Sequence, residues 1–183
     1  MKRIAFIMLC LLALGCTAAK NRHDSGMIIT PAELAEMNGA QVENALINGH
    51  PANYFTLAAK LFSEGNKQEG VKWFYVGQIR YRAYLQANPS LDPSGDPALF
   101  SSLMYTVGTP LNGYIGGDTD AWMATIDSAV QWHDGHPDNF LDKDKNQAVY
   151  AAVLSGLDSL KQYIADNKDA IRKEREANGL ENR

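Results

Sequence analysis

The chain is 183 residues long, which suits one domain, and its 45% hydrophobic and 21% charged residues exclude wholesale disorder. Seventeen Lys and Arg against 21 Asp and Glu give a net charge of −4. That balance argues against a general nucleic-acid binder, because phosphate affinity needs clustered excess cation, and two cysteines exclude a disulfide scaffold or a multi-cysteine zinc site.

At the N-terminus, Lys2 and Arg3 precede an apolar run from Ile4 to Leu14. The run suits the hydrophobic region of a signal peptide and is too short to span a bilayer, which takes about 20 residues. It ends in Ala13-Leu14-Gly15-Cys16, which resembles the lipobox of bacterial lipoproteins, with Ala13 in place of the usual Leu and Leu14 in place of a small residue. The resemblance implies a signal peptide over 1–15, cleaved so that a lipidated Cys16 becomes the N-terminus. An ordinary export signal cut near Ala18 and Ala19, or a buried N-terminal helix, are the alternatives. Thr17, rather than Asp, follows the cysteine and implies sorting to the outer membrane, facing the periplasm. Loss of Lys2 and Arg3 leaves 15 basic residues against 21 acidic, a net charge of about −6. Residues 16–29 are expected to be the lipidated N-terminus and a flexible tether, 30–178 a single helical domain, and 179–183 a disordered tail.

Thr30-Pro31-Ala32-Glu33 reads as a helix start with a capping box, and Asn38-Gly39 as a break before a second stretch ending near Gly49. His50-Pro51 opens a helix with Tyr54, Leu57, Ala58, Leu61 and Phe62 at helical spacing. Gly65-Asn66 ends it, and Glu69 to Ala87 forms the next. Asn88 to Gly95 is a loop. Asp96-Pro97 caps a helix that Gly108 is expected to stop, with a further turn opening at Thr109-Pro110. Asp118 or Thr119 caps another helix, burying Trp122, Ile126, Ala129 and Val130. A polar loop is expected from His133 to Lys143, then a long helix whose stripe is Val149, Val153, Gly156, Leu157, Leu160, Tyr163 and Ile164. Residues 168–176 are charge-laced and solvated. No strand pattern of period two is present, so the fold predicted is an all-α bundle of five to seven helices.

Residues 51–84 form a helical hairpin with small residues at Ala58, Gly70 and Gly77 that let two antiparallel helices approach, while Tyr54 and Phe74 lock the crossing. The series Tyr54, Leu57, Ala58, Leu61, Gly70, Phe74, Gly77 resembles one degenerate tetratricopeptide or Sel1-type repeat, as does Lys72-Trp73-Phe74-Tyr75. Arg82 stands where the repeat has its closing proline, and no second copy follows. One repeat cannot bury its own faces. Ala52, Phe55, Ala59 and Phe62, which would line a repeat groove, are therefore expected beneath the C-terminal helices.

Chemistry-bearing residues are few. His133, His136 and Asp138 lie in one short segment and could hold zinc with an open position for water. Asp142, Asp144 and Asn146 begin like a calcium loop but lack its Gly and Glu. Asp118 with Asp120, and Asp92 with Asp96, are conceivable acid/base pairs, although helix capping explains their places. No nucleophile elbow, phosphate loop or cysteine nucleophile is present, and no cofactor is expected. Lys72, Trp73, Arg80 and Tyr84 form the best candidate partner-binding face, since Arg and aromatic residues dominate binding hot spots. The reading is a membrane-anchored periplasmic lipoprotein that binds an envelope or exported protein as an accessory, inhibitor or immunity-type module. The alternatives are a metal-dependent envelope hydrolase built on His133 and His136, or a structural lipoprotein bridging membrane and peptidoglycan.

Overall fold

The computed structural model describes residues 26–183. The expected signal peptide, Cys16 and most of the expected tether lie outside the described residues.

The described residues fold entirely as helices and their connections, the all-α architecture expected. The chain opens with two short helices, α1 (Pro31–Glu36) and α2 (Gly39–Asn48). Thr30 and Asn38 cap them with complete capping boxes, closed by Glu33 and Gln41. The hairpin follows as α3 (Ala52–Ser63) and α4 (Lys67–Ala87), joined by a turn in which Gly65 takes φ +90°, a conformation that favours glycine. The small residues act as expected. A Cβ on Gly70 would lie 2.9 Å from the Ala58 carbonyl oxygen, and one on Gly77 would lie 2.9 Å from atoms of both Tyr54 and Phe55.

α5 (Asp96–Leu103) does not stop at Gly108. It runs through a π-helical turn, Met104–Gly108, directly into α6 (Thr109–Ile115). The wider turn precedes Pro110, whose ring and missing N–H interrupt regular α-helical bonding. Gly108 is buried, and a Cβ there would meet the Phe74 ring at 2.9 Å. α7 (Thr119–Gly135), α8 (Gln147–Asp166) and α9 (Lys168–Ala177) complete the order.

The long helix α4 is the centre, packing against α3, α6, α7 and α8. Its apolar surface is buried nearly all round, which is why its sequence carries no clean amphipathic stripe. The expected groove of the hairpin is filled. Phe55 is wholly buried against Phe74, Tyr81 and Phe100, and Phe62 packs on Tyr114. The cover is therefore α5 and α6, not the C-terminal helices, which lie elsewhere on α4.

Three further expectations are corrected. The tether does not extend to residue 29: Ile29 is buried, its N–H donates to Asn53 Oδ1 at 2.9 Å, and Asn53 donates to the Met27 carbonyl. The tail over 179–183 is ordered by polar contacts. The Arg183 N–H donates to the Gly117 carbonyl, its guanidinium lies 3.8 Å from the Tyr114 ring centroid, and Arg175 donates to the Glu181 carbonyl. On α8, Val153 and Ile164 are buried, but Gly156 and Tyr163 face solvent, one position off the packed stripe. No helix among the described residues is long and apolar enough to cross a membrane.

Candidate functional site

Arg80 was expected on an exposed face and is instead 1% exposed. Nothing in the local sequence marks it, because its partners come from distant segments. Its Nη1 donates to the Tyr54 hydroxyl at 2.6 Å, and that hydroxyl donates to the Leu46 carbonyl at 2.8 Å. Its Nη2 donates to the carbonyls of Pro137 and His136 at 2.9 and 3.3 Å. Asp138, also buried, brings Oδ2 to 3.7 Å from Nε. The guanidinium lies 5.2 Å from the Tyr54 ring centroid and 4.9 Å from that of Trp132. A buried cation survives only with such compensation. Arg80 is thus a staple joining α2, α3, α4 and the α7–α8 connection, and it has no role on a partner-facing surface.

The same staple absorbs the proposed metal ligands. His133 is not in a loop but in the last turn of α7, buried, with its ring 4.9 Å from that of Tyr150. Burial first, then the charges of Lys143 and Arg80, push its pKa down to about 3, so the ring stays neutral. Asp138 spends Oδ1 on the backbone N–H groups of Phe140 and Leu141 and Oδ2 on the Tyr150 hydroxyl at 2.7 Å. His136 stacks on Trp132 with centroids 4.2 Å apart and Nδ1 2.7 Å from the Trp132 carbonyl oxygen. Lys143 donates to the carbonyls of His133, Asp134 and His136, closing the end of α7. Among the described residues no group of three or more His, Cys, Asp or Glu side chains is arranged to hold a metal ion.

The acidic candidates resolve into capping, turn and surface ion-pair roles, with one exception. Asp118 caps α7 by accepting from the Ala121 N–H, Asp120 pairs with Lys168, and Asp92 accepts from the Ser94 N–H and hydroxyl. Asp142 accepts from the N–H groups of Asp144 and Lys145 and pairs with the Lys145 ammonium. Asp96 is the exception. It sits at the first position of α5 and turns its carboxylate inward, accepting from Tyr81 at 2.9 Å and Tyr84 at 3.2 Å, with His50 Nε2 at 2.9 Å. His50 Nδ1 accepts from the Ala52 N–H at 3.1 Å, which places the ring proton on Nε2, donating to Asp96. With both nitrogens engaged, the pair joins three segments and leaves no ring nitrogen free to act as a base. Burial lowers the His50 pKa against the opposing pull of Asp96, and burial followed by Asp96 raises that of Tyr81.

Of the expected partner-binding residues, Lys72 and Trp73 are half-buried. Tyr84 is half-buried, its hydroxyl on Asp96 and its ring 4.9 Å from that of Phe140, so it lies apart from Trp73. Lys72 pairs with Glu69 at 2.6 Å, and its ammonium lies 4.9 Å from the Trp73 ring centroid. Trp73 forms one wall of a groove of about 240 Å³ between α2 and the centre of the bundle. Val42, Leu46 and Trp132 supply the other apolar lining, and Glu43 and His136 the polar groups. Trp73 and Trp132 meet edge-to-face with centroids 4.8 Å apart, and Trp73 stacks on Tyr54. Sequence reading missed Glu43, Leu46 and Trp132. They lie far apart in the chain, and the α7 end meets α2 through the Arg80 staple and through Asn139, whose N–H donates to the Ile47 carbonyl at 3.0 Å and whose side chain donates to Asn48 Oδ1 at 2.7 Å.

No protein-family model matches the chain, and no curated protein or solved structure matches it significantly. The functional reading rests on the residues themselves.

Proposed function

We propose that this chain is a periplasm-facing helical module, anchored to the outer membrane through lipid on Cys16, that binds another envelope or exported protein as an accessory, inhibitor or immunity-type factor. The observation that carries the reading is Trp73, a large aromatic side chain left half-buried in the wall of an open groove, while most other aromatic residues of the hairpin are consumed by packing. A concave, mostly apolar site with a few polar groups is the usual form of a binding pocket, and Trp is prominent among interface anchors. The lipobox resemblance supports the anchoring half. Tethering would raise the effective concentration of the binder at the membrane without any new contact.

The test is affinity capture from envelope extracts with the full chain, read by mass spectrometry and repeated with Trp73→Ala. The expected result is one stoichiometric protein partner lost on substitution of Trp73. Absence of any protein partner, with the chain folded, would overturn the reading.

A further inference from the structure

We propose that the Trp73 groove receives an arginine side chain projecting from the partner, with its guanidinium against the Trp73 indole and paired to Glu43. The inference rests on the protein-binding reading and names the chemistry of the partner at that site.

Glu43 is the one formally charged residue lining the groove, is exposed, and has no ion pair or hydrogen bond among the described residues. An apolar side chain seated beside it would strip water from a carboxylate and return nothing. A cation would regain that loss as a charge-assisted pair. The walls select among cations. His136 and Arg80 already cover Trp132, which leaves Trp73 as the indole a guest cation would meet. An indole attracts positive charge, and guanidinium, flat and weakly hydrated, packs on it while still presenting a two-pronged donor to a carboxylate. The compact, strongly hydrated ammonium of lysine does neither as well.

The chain's own arginines show the same pairing. Arg80 lies against Tyr54 and Trp132, Arg82 lies 5.1 Å from the Phe100 centroid, and Arg183 lies over Tyr114. The neighbouring cations do not block a further one. Lys72 is neutralised by Glu69, and Arg80 is buried with Asp138 and two carbonyls. The net charge of −4 favours approach of a basic surface.

The test is an NMR titration of the full chain in detergent micelles, following the three indole N–H resonances. The probes are N-acetylated, C-amidated Gly-Arg-Gly, its isosteric citrulline analogue, Gly-Leu-Gly, and N-acetylglucosamine. The expected result is saturable movement of Trp73 and Trp132 with the arginine peptide, at least about tenfold weaker with citrulline and in Glu43→Gln. Trp122, whose indole N–H donates to the Tyr75 hydroxyl at 2.6 Å, should stay still and serves as an internal control. Equal binding of the citrulline or leucine peptide, binding of the sugar alone, or no binding of any probe would overturn the proposal. The two readings fail separately. A captured protein that needs Trp73 but is indifferent to Glu43→Gln removes the arginine and leaves the binding module standing. Arginine-selective titration with no protein captured does the reverse.

Discussion

Arg80 donates a 2.6 Å hydrogen bond to the hydroxyl of Tyr54, two residues 26 positions apart and each 1% exposed. The bond fixes α4 against α3, and through the Leu46 carbonyl it reaches α2. On its other side the guanidinium holds the Pro137 and His136 carbonyls, and through them the end of α7. One buried cation thus ties together the two walls of the Trp73 groove, α2 and α7, beside the direct bonds of Asn139 to Ile47 and Asn48. The groove depends on a residue that does not line it.

Replacing Arg80 by Met is expected to cost about 3–5 kcal/mol, because Asp138 is left buried without its cation. Urea denaturation checks this. The double substitution Arg80→Met with Asp138→Asn should recover part of the loss, since the uncompensated charge goes with it.

The neutral, buried His133 makes stability fall in acid. Its folded pKa lies below the ordinary value, so the unfolded chain takes up a proton first as pH drops from about 6.5 toward 3. The stabilisation is fully present above that window and shrinks through it, with a slope of up to about 1.4 kcal/mol per pH unit for one proton. His50, lowered in the same direction, adds to it. Thermal or urea unfolding between pH 7 and 4 should show a steeper decline in the native chain than in His133→Leu. Equal slopes would assign the acid sensitivity to other groups.

Glycines at equivalent-looking helical positions should respond with opposite signs. Gly70→Ala and Gly77→Ala press a methyl group into Ala58, or into Tyr54 and Phe55, and are expected to destabilise by about 1–3 kcal/mol. Gly156→Ala points into open space on α8 and should stabilise by about 0.5–1 kcal/mol through helix propensity. Denaturation midpoints of the three variants decide.

Asp96→Asn should loosen the start of α5, removing a carboxylate that accepts from both Tyr81 and Tyr84 and faces His50, at about 1–3 kcal/mol. Tyr84→Phe removes one 3.2 Å bond from a half-buried ring and should cost less, about 1 kcal/mol or under. Hydrogen exchange at the first turn of α5 would report the difference locally.

The helices were legible where the signal is local. The Thr30–Glu33 box, the Asn38 break, the Gly65 turn and the close approaches at Gly70 and Gly77 each follow from a few neighbouring residues. The site was legible only through Trp73. Helical geometry alone placed Arg80 outside with Tyr84, because its compensation comes from Tyr54, Trp132 and Asp138, and no window of sequence contains them all. His133 read as a loop ligand because Gly135 and Pro137 follow it, yet one more turn of α7 forms before Gly135, secured by Lys143 donating to its terminal carbonyls. Asp96 read as a cap because it precedes Pro97. His50 and the two tyrosines that claim its carboxylate lie on other helices or their ends.

Binding of a protein partner in the Trp73 groove is tested by affinity capture with the full chain from envelope extracts, comparing the native protein with Trp73→Ala at matched, verified folding. The expected result is one stoichiometric protein recovered by the native chain and lost with Trp73→Ala. Recovery of that protein at undiminished yield by the variant, or of none by the native chain, would contradict it.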